Sequence, residues 1–116
     1  MHIVITGANR GIGQELAALY TAQGHDVTKT SRTTRDGFAV LDVDDPASHA
    51  AFVASLDGKP VDLLIANAGV NFDKGQSLET GYPIEDWSQT FPTNVTGVCI
   101  NSQPLLANLR AATTTK

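Results

Sequence analysis

The apolar run Ile3-Val4-Ile5 leads directly into Thr6-Gly7-Ala8-Asn9-Arg10-Gly11-Ile12-Gly13, and no other stretch of the 116-residue chain restricts its possible folds as strongly. After it, Ile12, Leu16, Leu19 and Tyr20 fall at i, i+4, i+7 and i+8, the spacing of one helix face. The stretch therefore reads strand, glycine turn, helix, with those four side chains expected to face the core. Glycines at 7, 11 and 13 let the backbone turn sharply and let the helix pack closely on its strand. They also leave no Cβ where an anion must approach the free N–H groups of the helix's first turn. A turn of this kind can also use glycine for packing alone.

The remainder alternates in the same way. The first helix is expected to end near Gly24, and Val27–Thr30 reads as a second strand. Residues Thr33 to Gly37 leave room only for a compact connection to a third apolar run, Phe38–Val43. Asp44-Asp45-Pro46 is a helix start, an acidic cap followed by proline at the first helical position. Phe52, Val53 and Leu56 give that helix its apolar side, and Gly58 closes it. Val61–Ala66, broken only by Asp62, is expected to be a strand covered on both faces, ending in Asn67-Ala68-Gly69.

Asn71 to Gly81 is polar and reads as a loop. From Pro83 a long helical pattern places Trp87, Phe91, Asn94, Val98, Ser102, Leu105 and Leu109 on one side. Pro92 and Pro104 are expected to bend or break it. Thr113-Thr114-Thr115-Lys116 stands where a loop toward another strand is expected.

Strand–helix alternation implies right-handed crossovers and an α/β fold. The expected architecture is a partial Rossmann-like doubly wound parallel sheet, strand order 3-2-1-4, with residues 1–116 a single but incomplete domain. Ligand belongs at the carboxyl ends of strands one and four, where both the glycine turn and Asn67-Ala68-Gly69 lie.

Composition narrows the partners. With 41% hydrophobic and 17% charged residues the chain is ordinary globular protein, and a net charge of -4 with scattered acids argues against nucleic acid as a partner. The single cysteine, Cys99, cannot form an internal disulfide and is expected to be a buried thiol. His2, His25 and His49 lack metal-ligand spacing and read as structural, so no metal is expected. No leader-like segment or membrane-length apolar run occurs, and a soluble cytoplasmic protein without membrane contact is expected.

Thr6-Gly7-x-x-x-Gly11-x-Gly13, Asp42-Val43, Asn67-Ala68-Gly69 and Asn94, in this order and at this spacing, resemble the motif series of the classical short-chain dehydrogenases/reductases over the whole chain. The glycine spacing is similar to the classical rather than the extended branch. The resemblance implies an oxidoreductase that transfers hydride between a nicotinamide cofactor and a small carbonyl or alcohol substrate. It places Thr6, Gly7, Asn9, Arg10, Gly11, Ile12, Gly13, Val43 and Ala68 around the cofactor and gives Asp42 the adenine amino group. It has Asn67 hold the central strands and Gly69 clear space for the cofactor. Alternatively, Asp42 is a solvated acid beside Asp44 and Asp45, and Asn67 an ordinary turn asparagine.

Charge selects between cofactors. An acid about 20 residues beyond the glycine loop suits the ribose 2′-OH of NAD, whereas a nearby arginine suits the 2′-phosphate of NADP. Here the second strand ends Thr30-Ser31-Arg32, and no Asp or Glu lies between Asp26 and Asp36. Ser31 and Arg32 offer a hydroxyl and a guanidinium, and Arg10 can reach the same phosphate, so NADP(H) is expected. The competing reading makes Arg32 and Arg35 solvated turn residues.

The family's proton donor is a tyrosine with a lysine four residues on, aided by a serine from the preceding strand. Four residues beyond Tyr20 and Tyr82 stand Gly24 and Asp86. Asn94 is the one member of the family's catalytic set in this chain, and Pro92 departs from the usual helix beside it. The chain is thus expected to carry the cofactor-binding half and to be inactive alone. The fourth strand would be an open edge, covered by the missing polypeptide or by a second copy, with homo-oligomerisation through the long C-terminal helix. The alternative is a non-catalytic NADP(H)-binding or subunit-interaction module.

Overall fold

The structure, a computed structural model, describes residues 1–114, so Thr115 and Lys116 of the expected terminal loop lie outside the described residues. Four parallel strands, β1 (His2–Ile5), β2 (Asp26–Ser31), β3 (Ala39–Val40) and β4 (Leu63–Ile65), form one sheet in the order β3-β2-β1-β4. This is the expected Rossmann-like order. β1 is central, with Ile3 beside Val27 and Leu63, and Ile3, Val4 and Ile5 are fully buried.

Alternation along β1 feeds two cores. Ile3 and Ile5 pack with Ala8 and Ala17 beneath α1 (Gly11–Ala22). Val4 packs on the opposite face with Leu41, Phe52, Leu56, Val61 and Leu105. That second layer is built by α2 (Pro46–Ser55) and by the C-terminal helices α4 (Gly97–Ser102) and α5 (Leu106–Ala111); α3 (Ile84–Phe91), which precedes them, buries no residue.

Local signals set most boundaries. The Asp45 carboxylate accepts from Ala47 N–H at 2.9 Å and Pro46 opens α2, as the sequence requires. α1 closes with Gly24 at φ +82°, where Gly24 N–H donates to Thr21 O and His25 N–H to Tyr20 O, a Schellman cap.

Five expectations are corrected. On α1, Ile12 and Leu19 are exposed, and the buried face runs through Gly13, Leu16, Ala17 and Tyr20. Gly13 brings the helix so close to the sheet that small residues centre the contact and larger ones flank it. β3 holds only Ala39 and Val40, although Leu41 N–H still donates to Ser31 O at 2.9 Å before the chain reaches Asp42. β4 is likewise shorter than expected: Leu64 packs on one core and Leu63 and Ile65 on the other, so both faces are met, but as the edge strand it is only half-buried.

The long helix is interrupted at both prolines, as expected, but its buried face is the expected one only at Leu105 and Leu109. Pro92 opens a π-turn, Pro92–Thr96, which inserts an extra residue per turn. Thr93, Gly97, Asn101, Leu105 and Asn108 face inward, one residue out of step with Asn94, Val98 and Ser102, while Trp87 and Phe91 are about half exposed. Cys99, expected to be buried, is exposed.

The histidines act as structural ties. The His2 ring bridges Pro60 O (2.6 Å) and Thr28 Oγ1 (2.8 Å), and buried His49 Nε2 donates to Val43 O at 3.0 Å. Among the described residues no helix is long and apolar enough to cross a membrane.

Candidate functional site

At the carboxyl ends of the strands a cleft of about 520 Å³ opens, bounded by the glycine turn, the end of β2, the Leu41–Asp44 segment and the segment after β4. Its floor is a knot between the turns that follow β1 and β4. Thr6 is fully buried; its N–H donates to Ile65 O at 3.0 Å and its hydroxyl accepts from Ala68 N–H at 2.9 Å. Asn67 Nδ2 donates to both Thr6 O (3.0 Å) and Gly7 O (3.2 Å). One side-chain amide thereby satisfies carbonyls that the end of β1 leaves without ladder partners.

This knot explains two of the glycines. Gly7 adopts φ +63°, and a Cβ there would stand 2.9 Å from Ala68 Cα. A Cβ at Gly13 would overlap Asn67 Nδ2 and stand 2.7 Å from Gly7 O. Gly11 has open space around it and is needed only for its φ of +55°.

Beyond the turn, the first turn of α1 is prepared for an anion. Its N-cap, Arg10, makes no side-chain cap, and no acid occupies the first turn. The amides of that turn and the positive end of the helix dipole therefore face the cleft. Exposed Arg10 and Arg32 stand on the rim with Asn9, Gly11 and Ile12, while Ser31, nearly buried, lines the wall between them. This end of the cleft carries two guanidinium groups and a hydroxyl. The carboxylates, Asp42 and Asp44, belong to the segment after β3.

That segment is fixed from within. Asp42 N–H donates to Ser48 Oγ (2.9 Å), its carboxylate accepts from Asp44 N–H (3.0 Å), and Asp44 Oδ2 accepts from Thr93 Oγ1 (2.7 Å). The last contact ties the wall to the π-turn. One residue on, Asn94 Oδ1 accepts from Val70 N–H and Asn94 Nδ2 donates to Val70 O, both at 2.8 Å. Asn94 thus pairs with one backbone unit as a neighbouring strand would. A Cβ at Gly69 would stand 3.2 Å from Asn94 Oδ1, so this glycine makes room for that amide as well as lining the cleft.

Of the residues singled out in the sequence, Gly7, Asn9, Arg10, Gly11, Ile12, Ser31, Arg32, Asp42, Asn67, Ala68 and Gly69 line this one cleft. Thr6 and Gly13 lie beneath it, supporting the turn. Val43 does not line it: its side chain is in the core and its carbonyl holds His49. Asn94 lies behind the Val70 wall and lines a separate, smaller cavity of about 230 Å³.

Thr33, Leu41, Asp44, Val70 and Thr93 also line the cleft and were not singled out. Position just past a strand's carboxyl end could have found Leu41 and Val70. Nothing in the spacing announces the contact between Asp44 and Thr93.

The donors suit a dinucleotide: unpaired helix amides for a pyrophosphate, guanidiniums on one flank and a carboxylate-bearing wall on the other. Comparison with known proteins agrees with that geometry. Residues 1–115 match the family profile described as short chain dehydrogenase. The chain is 30% identical to the serine 3-dehydrogenase of Rhizobium radiobacter, an alignment covering 92% of this chain and 48% of that protein. It is 33% identical to a probable NADP-dependent dehydrogenase of Dichelobacter nodosus, covering 81% of this chain and 100% of that one. The fold superposes on an NADPH-bound carbonyl reductase from chicken fatty liver with a TM-score of 0.81 and 28% identity, covering 96% of this chain and 52% of that one. The chain spans about half the length of the first curated relatives it matches. With one profile matched along nearly all of its length, and the glycine turn, the Asn67 knot and the strand order in place, the chain belongs to the short chain dehydrogenase family.

Proposed function

We propose that residues 1–116 are the cofactor-binding half of an NADP(H)-dependent oxidoreductase of the cytoplasm that interconverts a small-molecule carbonyl and its alcohol. The observation that carries the cofactor choice is the end of β2, where Ser31 and Arg32 line the same cleft as Arg10 and no acid stands between Asp26 and Asp36. A 2′-phosphate would find two guanidiniums there, whereas the bare 2′-OH of NAD would find no acceptor acid. The NADP-dependent and NADPH-bound relatives support the same choice.

When bound, the cofactor would supply hydride to a carbonyl carbon or take it from an alcohol. The chain's own residues hold and shape. The first turn of α1 would hold the pyrophosphate, and Asp42 the adenine amino group. Gly69 and Val70 would wall the inner end of the cleft, and Asn94 would act as a positioning residue by fixing Val70. No Tyr-x-x-x-Lys pair occurs in the sequence, so the proton donor and its serine are assigned to polypeptide beyond these residues, and this chain alone is expected not to turn over.

Titration of the full protein with NADPH and NADH, followed by nucleotide fluorescence, tests the reading. NADPH should bind tighter by about tenfold or more, and Arg32→Glu should remove most of that preference. Equal or tighter binding of NADH by the unmodified protein would refute the cofactor choice.

We further propose homo-oligomerisation through the C-terminal helices, on which Trp87, Phe91 and Val95 form an exposed apolar stripe with the Trp87 and Phe91 rings stacked at 5.9 Å. Sedimentation of the full protein as a monomer at micromolar concentration would remove this proposal.

A further inference from the structure

Parallel neighbours in a sheet need a crossover, usually of a dozen or more residues and usually helical. Between β2 and β3 the chain spends only residues 32–38 and forms no helix. The crossover shrinks to a turn in which Phe38 N–H donates to Arg35 O at 3.1 Å with Gly37 at φ +74°. As a result the flank of α1 beside β2 stays uncovered, and a slot of about 540 Å³ remains between them, behind the glycine turn from the cofactor cleft.

The slot has a definite chemistry. One wall is the small-residue side of α1, with Ala17, Ala18 and Ala22. The other is Phe38 with two cations against its ring, Lys29 Nζ at 4.6 Å and Arg35 Cζ at 5.3 Å from the centroid. Among the described residues the one ion pair is between Lys59 and Asp26, so neither Lys29 nor Arg35 meets a carboxylate. Two cations drawn to the same ring repel each other, and the ring's quadrupole offsets only part of that cost. A bound anion would neutralise both.

We infer that this slot is a binding site for a small organic anion, a carboxylate or sulfonate on a flat apolar body, distinct from the cofactor cleft. The anionic group would sit between Lys29 and Arg35, and the body would lie on the alanine wall. The volume lies within the roughly 300–1,000 Å³ of small-molecule sites, and apolar walls with a few convergent polar groups are their usual make-up. Asn9 lines both the slot and the cofactor cleft, so occupancy on one side of the glycine turn would be felt on the other.

The experiment is a titration of the ¹⁵N-labelled full protein with salicylate and with salicylamide, its uncharged counterpart, followed by amide chemical shifts. Salicylate should give saturable shifts at Ala17–Ala22, Lys29 and Phe38, and salicylamide should bind about tenfold more weakly or worse. Lys29→Met and Arg35→Gln should each weaken salicylate several-fold and together about tenfold or more, with NADPH affinity within about twofold to show that the fold is intact. The inference fails if salicylamide binds equally well, if no shift saturates, or if the variants leave salicylate binding unchanged. It also fails if 2′,5′-ADP displaces salicylate competitively, for the cations would then serve the cofactor's phosphate and the slot would be an extension of the cleft.

Discussion

The two turns that meet at the cleft are held by opposite means. The turn after β1 is shaped by what is absent: Gly7 and Gly13 press backbone against backbone and leave no volume for a methyl group. The turn after β4 is shaped by what is present, the side-chain amides of Asn67 and Asn94, each with two hydrogen bonds to main chain. Steric exclusion cannot be traded away gradually, whereas a hydrogen-bonded tie can be lost in part. Substitutions at the closely packed Gly7 and Gly13 should therefore cost more than substitutions in the second turn, and within the second the cost should follow burial.

The sharpest way to break this comparison is Gly13→Ala. The added methyl would overlap Asn67 Nδ2 and press on Gly7 O, so either α1 lifts from the sheet or Asn67 leaves its carbonyls. Overpacking of this kind costs about 1–3 kcal/mol, and loss of the Asn67 bonds would add to it. The urea midpoint should fall by the largest amount of any substitution considered, and NADPH binding should weaken with it. Gly11→Ala provides the internal control, because its neighbourhood is open and only its backbone conformation is penalised, by about 1 kcal/mol. Equal losses for the two would show that glycine acts here through conformation alone.

Asn67→Ala and Asn94→Ala sharpen the other side. Removing the Asn67 amide strands two carbonyls under the glycine turn, a loss of about 1–3 kcal/mol. The Asn94 pair is solvent-exposed, so water can replace the lost bonds, and about 0.5–1.5 kcal/mol is expected. Hydrogen exchange separates the two further: Asn94→Ala should speed exchange at Val70 alone, whereas Asn67→Ala should also loosen Thr6–Ala8 and Ala68. A greater loss of stability at Asn94 would overturn the ranking by burial.

The same contrast explains what the sequence made legible. Glycine spacing, the Asp45–Pro46 cap and the apolar runs are local signals, and they predict the strand order, the ends of α1 and α2, and a cleft that gathers most of the residues singled out. Where they mislead, a long-range contact or an irregular turn intervened. The face of α1 is misjudged at Ile12 and Leu19 because glycine and alanine, not the largest apolar residues, make the closest approach. The C-terminal helices are misjudged by one residue around the axis, from Trp87 and Phe91 through Ser102, so that Asn101 faces inward and Cys99 outward, while Leu105 and Leu109 reach the core as the periodicity requires. Proline signals a break but not its geometry. The tie between Asp44 and Thr93 joins side chains whose pairing only the folded chain creates.

The smallest effect belongs to the end of the sheet remote from the cleft, where a charge pair replaces both glycine packing and amide ties. Lys59 Nζ lies 2.5 Å from Asp26 Oδ2, with the two side chains 47% and 58% exposed. The hydrogen bond from Lys59 holds the Asp26 carboxyl below its ordinary value, helped by the charges of Lys59, His2 and the N-terminus and opposed by slight burial. A carboxyl whose folded pKa is depressed stabilises the fold above its unfolded pKa, and that contribution is lost as pH falls through the folded value. Solvent screening limits an exposed pair to about 0.2–1 kcal/mol. Urea midpoints at pH 7 and below about pH 4 should therefore differ slightly less in Asp26→Asn than in the unmodified protein, and 1 M salt should shrink the gap. An acid-dependent loss as large as that from Gly13→Ala would mean that charge, rather than close packing, holds this half of the sheet together.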